Sequence, residues 1–390
     1  MSGIRKVALL IETSREYGRG VLRGIVRYAR LHGPWAFYVT PGDLEQALPE
    51  MKHWGGTGII ARIETPKVAE AILATGLPVV ALGLSEKQLA PGNPLSQICE
   101  LYTDSYHAAQ LAAIHLLERG FRNYAFVGIA DRIWSKRRRD SFVKHIKQAD
   151  YKTHVYEQPK NKHDQEWGRE QKLLAEWLHN LPKPVGLMAA NDDRGRDVLE
   201  ACRAANLGVP EEVAVVGVDN DSLLCELANP ALSSVVLNAE HGGFEAAALL
   251  DRLMAGRASA PERIVVEPLQ VVMRRSTDVV ALEDLAVAHA LRFIHENAGR
   301  AIQVKDIVKT LGISRRTLEI RFRRTIGKSM NEKIQQAHLE RSKRLLLETD
   351  LPLPKVAEAA GYNSTSYLAV VFHKAFAMTP AKFRTYARNR

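Results

Sequence analysis

Two glycines 49 residues apart, Gly312 and Gly361, each interrupt a pair of short helical patterns, and this repeat restricts the end of the chain to a narrow set of folds. In VKDIVKTLGISRRTLEIRFRRTIG, Val304, Ile307, Val308 and Leu311 fall on one face of a short helix. Gly312 suits the left-handed residue that ends such a helix. Ile313 plugs the corner, and Ser314 can cap the next helix by accepting an orphan backbone N–H. That second helix is expected to bury Leu318 and Phe322 and to display Arg315, Arg316, Thr317, Glu319 and Arg323. LPKVAEAAGYNSTSYLAVVFHKAFAMTP repeats the scheme: Val356, Ala359 and Ala360 pack, Gly361 breaks the helix, Ser364 caps the next one, and Tyr367, Leu368 and Phe372 face inward. Between the units, HLERSKRLLLE reads as a long connecting helix with Leu339 and Leu346 on its buried side.

The same segment carries the charge. Residues 281–390 hold 20 Lys and Arg against 10 Asp and Glu, a surplus equal to the +10 of the whole chain, so residues 1–280 are electrically balanced. A basic segment with two helix-turn-helix units points to double-stranded DNA. An apolar face seats the second helix of each unit while its polar face enters the major groove. The expected contacts are Ser314, Arg315, Arg316, Thr317, Glu319 and Arg323 in the first unit, with Ser364, Thr365, Ser366 and Ala369 in the second. Capping alone would account equally well for Thr365 and Ser366. Arg321, Arg323 and Arg324 are expected on phosphates.

From about Leu285 to Arg384 the chain resembles the AraC-type DNA-binding domain, on the residues Leu311-Gly312-Ile313-Ser314, Leu318, Phe322, Gly327, Ala337, Arg341, Ala357, Gly361-Tyr362, Phe372, Thr379-Pro380 and Phe383-Arg384. The family usually places Arg two residues after the leucine of each recognition helix; this chain has Ile320 and Val370 there. Arg commonly reads guanine through a bidentate contact. Without it, base reading in the first unit shifts to Arg315, Arg316 and Glu319. In the second it shifts to thymine-methyl and water-mediated contacts through Thr365, Ser366 and Ala369.

Residues 4–275 alternate apolar runs (KVALLIE, TGIIA, PVVALG, YAFVGI, VGLMAAN, VAVVGVDN) with helical stretches such as AAQLAAIHLLERG. Continuous Val/Ile/Leu runs separated by helices predict parallel sheets covered on both faces, and this length suggests two lobes. No nucleotide-binding Gly-rich loop, no Gly-x-Ser-x-Gly and no His-x-x-x-His metal pair occurs, so no catalytic residue, metal or cofactor is expected. The chain begins without a secretory pattern, and no stretch approaches a membrane span. Three scattered cysteines, Cys99, Cys202 and Cys225, fit a reduced, cytoplasmic protein.

The loops that follow the strands hold polar clusters. A sugar presents hydroxyls along its edge and an apolar C–H face, so it calls for carboxylates, amides, an Arg fork and an aromatic plate. Tyr17, Trp134, Arg138, Asp192, Arg194, Asp219 and Asn220 supply that set. Helix capping for Asp192 and Asp219, and core packing for Trp134, are the competing readings.

VAVVGVDN followed by Pro230-Ala231-Leu232-Ser233-Ser234-Val235, with Gly243 and Ala246, resembles the effector-binding domain of LacI-type repressors, itself similar to periplasmic sugar-binding proteins. That resemblance gives Arg138, four residues before Phe142, and Asp219 as ligand-gripping groups, and Tyr17 as the first-loop aromatic. The whole then reads as a two-lobed α/β sensor (1–276), a linker (277–286) and an all-α reader with two helix-turn-helix units (287–390). The stretch from Asp278 to Ala290 is expected to be helical. Sensor before reader resembles the xylose-operon activators of enteric bacteria along nearly the whole chain. The resemblance implies xylose or a related aldose as effector, a homodimer on promoter half-sites, and RNA polymerase as a partner of an activator. A repressor answering another small polar ligand is the alternative.

Overall fold

Runs of Val, Ile and Leu bounded by Gly, Asn and Pro become buried strands, and the periodic stretches between them become the covering helices. The computed structural model describes residues 4–39, 48–130, 132–159, 161, 163, 165–258, 261–278, 284–349 and 351–388. It divides into two units, 1–280 and 281–390.

The first unit opens with β1 (Arg5–Leu10), α1 (Glu16–His32), β2 (Trp35–Val39), α2 (Met51–Trp54), β3 (Gly58–Ala61) and α3 (Pro66–Ala74). It continues through β4 (Val79–Leu82), α4 (Glu86–Leu89), β5 (Cys99–Thr103) and α5 (Ser105–Leu117). Next come β6 (Asn123–Val127), α6 (Ile133–Gln148), β7 (Thr153–Tyr156), α7 (Trp167–Asn180), β8 (Val185–Ala189) and α8 (Asp192–Ala204). It closes with β9 (Val213–Asp219), α9 (Ser222–Leu227), β10 (Ser233–Leu237), α10 (Ala239–Met254), β11 (Arg263–Val266) and β12 (Pro268–Val272).

These strands form two six-stranded sheets, ordered β11-β5-β4-β3-β1-β2 and β12-β10-β9-β8-β6-β7. Each is the centre of one lobe. The chain changes lobe three times, through single residues: Asp104 between β5 and α5, Asn238 between β10 and α10, and Glu267 between β11 and β12. The crossings are tied together, Asp104 N donating to Val266 O at 3.0 Å and Asn238 N to Glu267 O at 2.8 Å. One strand departs from the parallel expectation: β12 runs antiparallel to β10. It leaves β11 through one residue, with no room for the helical crossover a parallel pairing needs. Ala8, Leu10, Ile59 and Ile72 anchor the first core, and Leu174, Leu187, Val198 and Val215 the second.

The second unit is entirely helical: α11 (Leu285–Glu296), α12 (Val304–Leu311), α13 (Arg315–Ile326), α14 (Met330–Glu348), α15 (Leu353–Ala359), α16 (Thr365–Phe376) and α17 (Pro380–Arg388). The helix expected from Asp278 begins at Leu285; residues 279–283 lie outside the described residues. Within the expected linker (277–286), Thr277 is buried in the first unit, and Asp284 caps α11, which starts at Leu285, in the second. Gly312 and Gly361 take φ of 64° and 78°, the left-handed region where a Cβ is disfavoured. A side chain on Gly361 would also strike Arg300 O and the His338 ring. The unit has two small cores strung on α14. Ile307, Leu318, Phe322 and Ile334 lie in one, and Leu346, Val356, Leu368 and Phe372 in the other.

Candidate effector cleft and nucleic-acid interface

In parallel sheets, the residues just beyond the carboxyl ends of the strands converge on a crevice. In the first unit that crevice is a cavity of about 490 Å³ between the lobes. Glu12, two residues past β1, and Arg62, one past β3, form a bidentate pair of 2.8 and 2.9 Å. The Arg62 guanidinium lies 5.5 Å from the ring centre of Tyr17, on the first turn of α1. Gly18 makes this turn possible, since a Cβ there would run into the Glu12 carbonyl. Burial pushes the Tyr17 hydroxyl above its ordinary range, so it stays a neutral donor. Glu12→Gln leaves the enclosed Arg62 charge half-answered, and the expected loss is about 3 kcal/mol of stability, measurable as a lower midpoint in urea unfolding.

The opposite wall comes from the second lobe. Arg138, on α6, is buried. Its Nη1 donates to Ala190 O at 2.6 Å, Nη2 lies 3.4 Å from Asp219 Oδ1, and the guanidinium sits 5.1 Å from the Trp134 ring centre. Its Nε has no hydrogen-bond partner among the described residues. Asp219 ends β9 with φ of 106° and lines the cavity. Burial lifts its carboxyl from 3.8 to about 6, with Arg138 opposing the rise. Because the folded value exceeds the unfolded one, this group favours the fold at pH below about 4, and that contribution is lost as pH rises through about 6.

Four of the expected residues therefore meet in the cavity: Tyr17, Trp134, Arg138 and Asp219. Three do not line it. Asp192 is buried behind Asp219, accepting from Ser234 Oγ at 2.5 Å and Asp221 N at 2.7 Å, and burial with the Asp219 charge drives its carboxyl well upward. Arg194 points away, held by Glu170 at 2.8 Å and Asp197 at 2.9 Å. Asn220 Oδ1 accepts from Arg274 Nη1 at 2.9 Å. Sequence reasoning missed Glu12, Arg62, Tyr102 and Thr103; taking the first two residues beyond every strand would have found the first pair. Across the cleft mouth, Arg15 pairs with Asp193, Arg19 with Asp221, Arg132 with Glu64 and Lys136 with Glu86.

In the second unit, Ser314 and Ser364 cap α13 and α16, accepting from the N–H of Thr317 and Tyr367. Leu318, Phe322, Leu368 and Phe372 are buried, while Arg315, Arg316, Thr317, Glu319, Arg323 and Ser366 are exposed and Thr365 and Ala369 are half-buried. Arg315 pairs with Glu319 at 2.9 Å. Two expectations change. Tyr367 does not face inward but stands 50% exposed, because its ring packs edge-on against Tyr362, which already closes that corner. Arg321, expected on phosphate, is gripped by Asp284 through bonds of 2.7 and 2.6 Å, and this holds the Asp284 carboxyl below its ordinary range.

Among the described residues no cluster of His, Cys, Asp or Glu is arranged to hold a metal ion, and no helix is long and apolar enough to cross a membrane. Three family models match: an XylR N-terminal domain over residues 6–97, a periplasmic binding protein-like domain over 113–277 and a helix-turn-helix domain over 307–386. The xylose operon regulatory protein of Escherichia coli (strain K12) is 32% identical over 387 residues, covering 97% of this chain and 96% of that protein. Its counterpart from Haemophilus influenzae is 34% identical over 385 residues, covering 97% and 98%. The solved structure of the xylose-binding transcription activator xylR superposes with a TM-score of 0.83 at 31% identity over 99% of both chains. A transcriptional regulator CelR–cellobiose complex, at 24% identity, shares the fold over 71% of this chain and 86% of that one with a TM-score of 0.55. Matches of this extent settle the lineage: the chain belongs to the family of xylose operon regulatory proteins, AraC-type transcription regulators and not enzymes.

Proposed function

We propose that the cleft binds an aldose, xylose being the first candidate, and that the sugar governs how the helical unit engages promoter DNA. The observation that carries this is the buried Arg138–Asp219 pair under Trp134, at the carboxyl ends of the strands, with an Arg138 Nε that has no partner among the described residues. An Arg fork and a carboxylate match vicinal hydroxyls, and the indole and Tyr17 rings match a C–H face. Asp192 and Asn220 act from behind, fixing the β9 turn that aims Asp219; Arg194 braces α8. On the DNA, Ser314, Arg315, Arg316, Thr317, Glu319 and Arg323, with Ser364, Thr365, Ser366 and Ala369, form the contact set. The protein works in the cytoplasm as a homodimer, paired through the first unit, and activates by engaging RNA polymerase. Sugar acts by binding the DNA-competent arrangement more tightly than the other. Isothermal titration against a panel of pentoses and hexoses tests the effector: saturable heat with xylose is expected, and flat traces throughout would remove the sugar while leaving the DNA reading intact.

The pH dependence follows from Asp219. A sugar hydroxyl donates to the ionised carboxylate, so binding favours the charged form. Affinity should hold above pH 7 and fall below about pH 6, approaching tenfold per unit. Asp219→Asn should bind more weakly with a flat profile over that range; a sloping one assigns the titration to another group.

A further inference from the structure

The two recognition helices repeat with a period of 50, and the repeat places an exposed branched apolar residue at the same point of each. Ile320 is 60% and Val370 66% exposed. Each lies six residues after the capping serine and midway between the two buried anchors, Leu318 and Phe322 or Leu368 and Phe372. At 3.6 residues per turn, a residue two positions from each anchor points directly away from the core. Its helical neighbours are themselves exposed: Arg316, Thr317, Arg323 and Arg324 around Ile320, and Ser366, Tyr367, His373 and Lys374 around Val370. An apolar knob ringed by donors and cations suits a surface that is anionic overall and carries an isolated apolar feature. The major groove is such a surface. Its one apolar marker is the thymine C5-methyl group, and a β-branched side chain, stiff at χ1, loses little freedom in meeting it.

We propose that Ile320 and Val370 each read a thymine methyl, one in each of two successive major grooves. The operator half-site then carries thymines about one helical turn, ~10–10.5 base pairs, apart. This rests on the reading that both helices enter DNA. The test uses the full-length chain. Duplexes are selected from a random pool, and each thymine of the recovered consensus is then replaced singly by deoxyuridine, which keeps the base pair and removes only the methyl. Two positions one turn apart should each lose about fourfold in affinity, the worth of one buried methyl. Ile320→Ala should abolish the loss at one position and Val370→Ala at the other. Both variants are at exposed sites, and circular dichroism checks that they keep their helix content. Uniform tolerance of uracil, or uracil penalties that persist in both variants, overturns the proposal alone. Failure to retain any duplex overturns the DNA reading and the proposal with it.

Discussion

Arg138→Met is expected to weaken aldose binding by about 30- to 1000-fold. The methionine keeps most of the apolar stem beneath Trp134 but removes every donor of the fork. Losing charge-assisted hydrogen bonds in a desolvated site costs about 2–4 kcal/mol, which converts to that range of dissociation constants. The loss is compounded at Asp219. Burial already lifts its carboxyl to about 6, and Arg138 is the first group opposing the rise. Without the guanidinium the carboxyl moves further up, and at pH 7 a larger fraction is protonated and accepts poorly. Calorimetry reads the affinity, and far-UV circular dichroism establishes that the variant is folded. Retardation of DNA without sugar should survive, because the substitution lies in the first unit. An affinity within threefold of the parent would place the effector elsewhere.

Phe322→Ala should cost about 3–5 kcal/mol and abolish tight promoter binding. Among the described residues, Phe322 is fully buried in a core of ten buried side chains, shared by α11, α12, α13 and the start of α14. A domain's total stability is of order 5–15 kcal/mol, so a cavity of this size threatens the whole first half. Phe372→Ala should do the same to the second half, which has its own core. Among the described residues the two cores share no buried side chain, so each variant should melt its own half first, visible as a separate low-temperature transition in calorimetry. A single cooperative transition in both variants would show that α14 couples the halves more strongly than their packing implies.

The alternation of apolar runs and helical stretches made both sheets readable, and the pair of glycines made the reader readable, because each rests on local periodicity. Most of what escaped depends on pairings between residues distant in the chain, Tyr367 being the local exception. Asp219 and Arg194 look equally suited to a sugar in sequence; one faces the cavity and the other is claimed by Glu170, 24 residues upstream. Arg321 sits among four other arginines of its helix, and nothing local says that Asp284 takes it. Tyr367 has the spacing of a core residue, but Tyr362 fills its place. The Glu12–Arg62 pair joins residues 50 apart, and neither flank carries a motif. Periodicity tells which face of an element is buried, not which partner arrives there.

Three one-residue crossings join the lobes, and hydrogen bonds clamp them side by side. Neighbouring pivots held side by side favour opening and shutting over sliding of one lobe across the other. The easiest mechanical coordinate of such a sensor is an angle between its lobes. A ligand in the crevice that works by setting that angle is expected to differ from others in potency and not in kind of output.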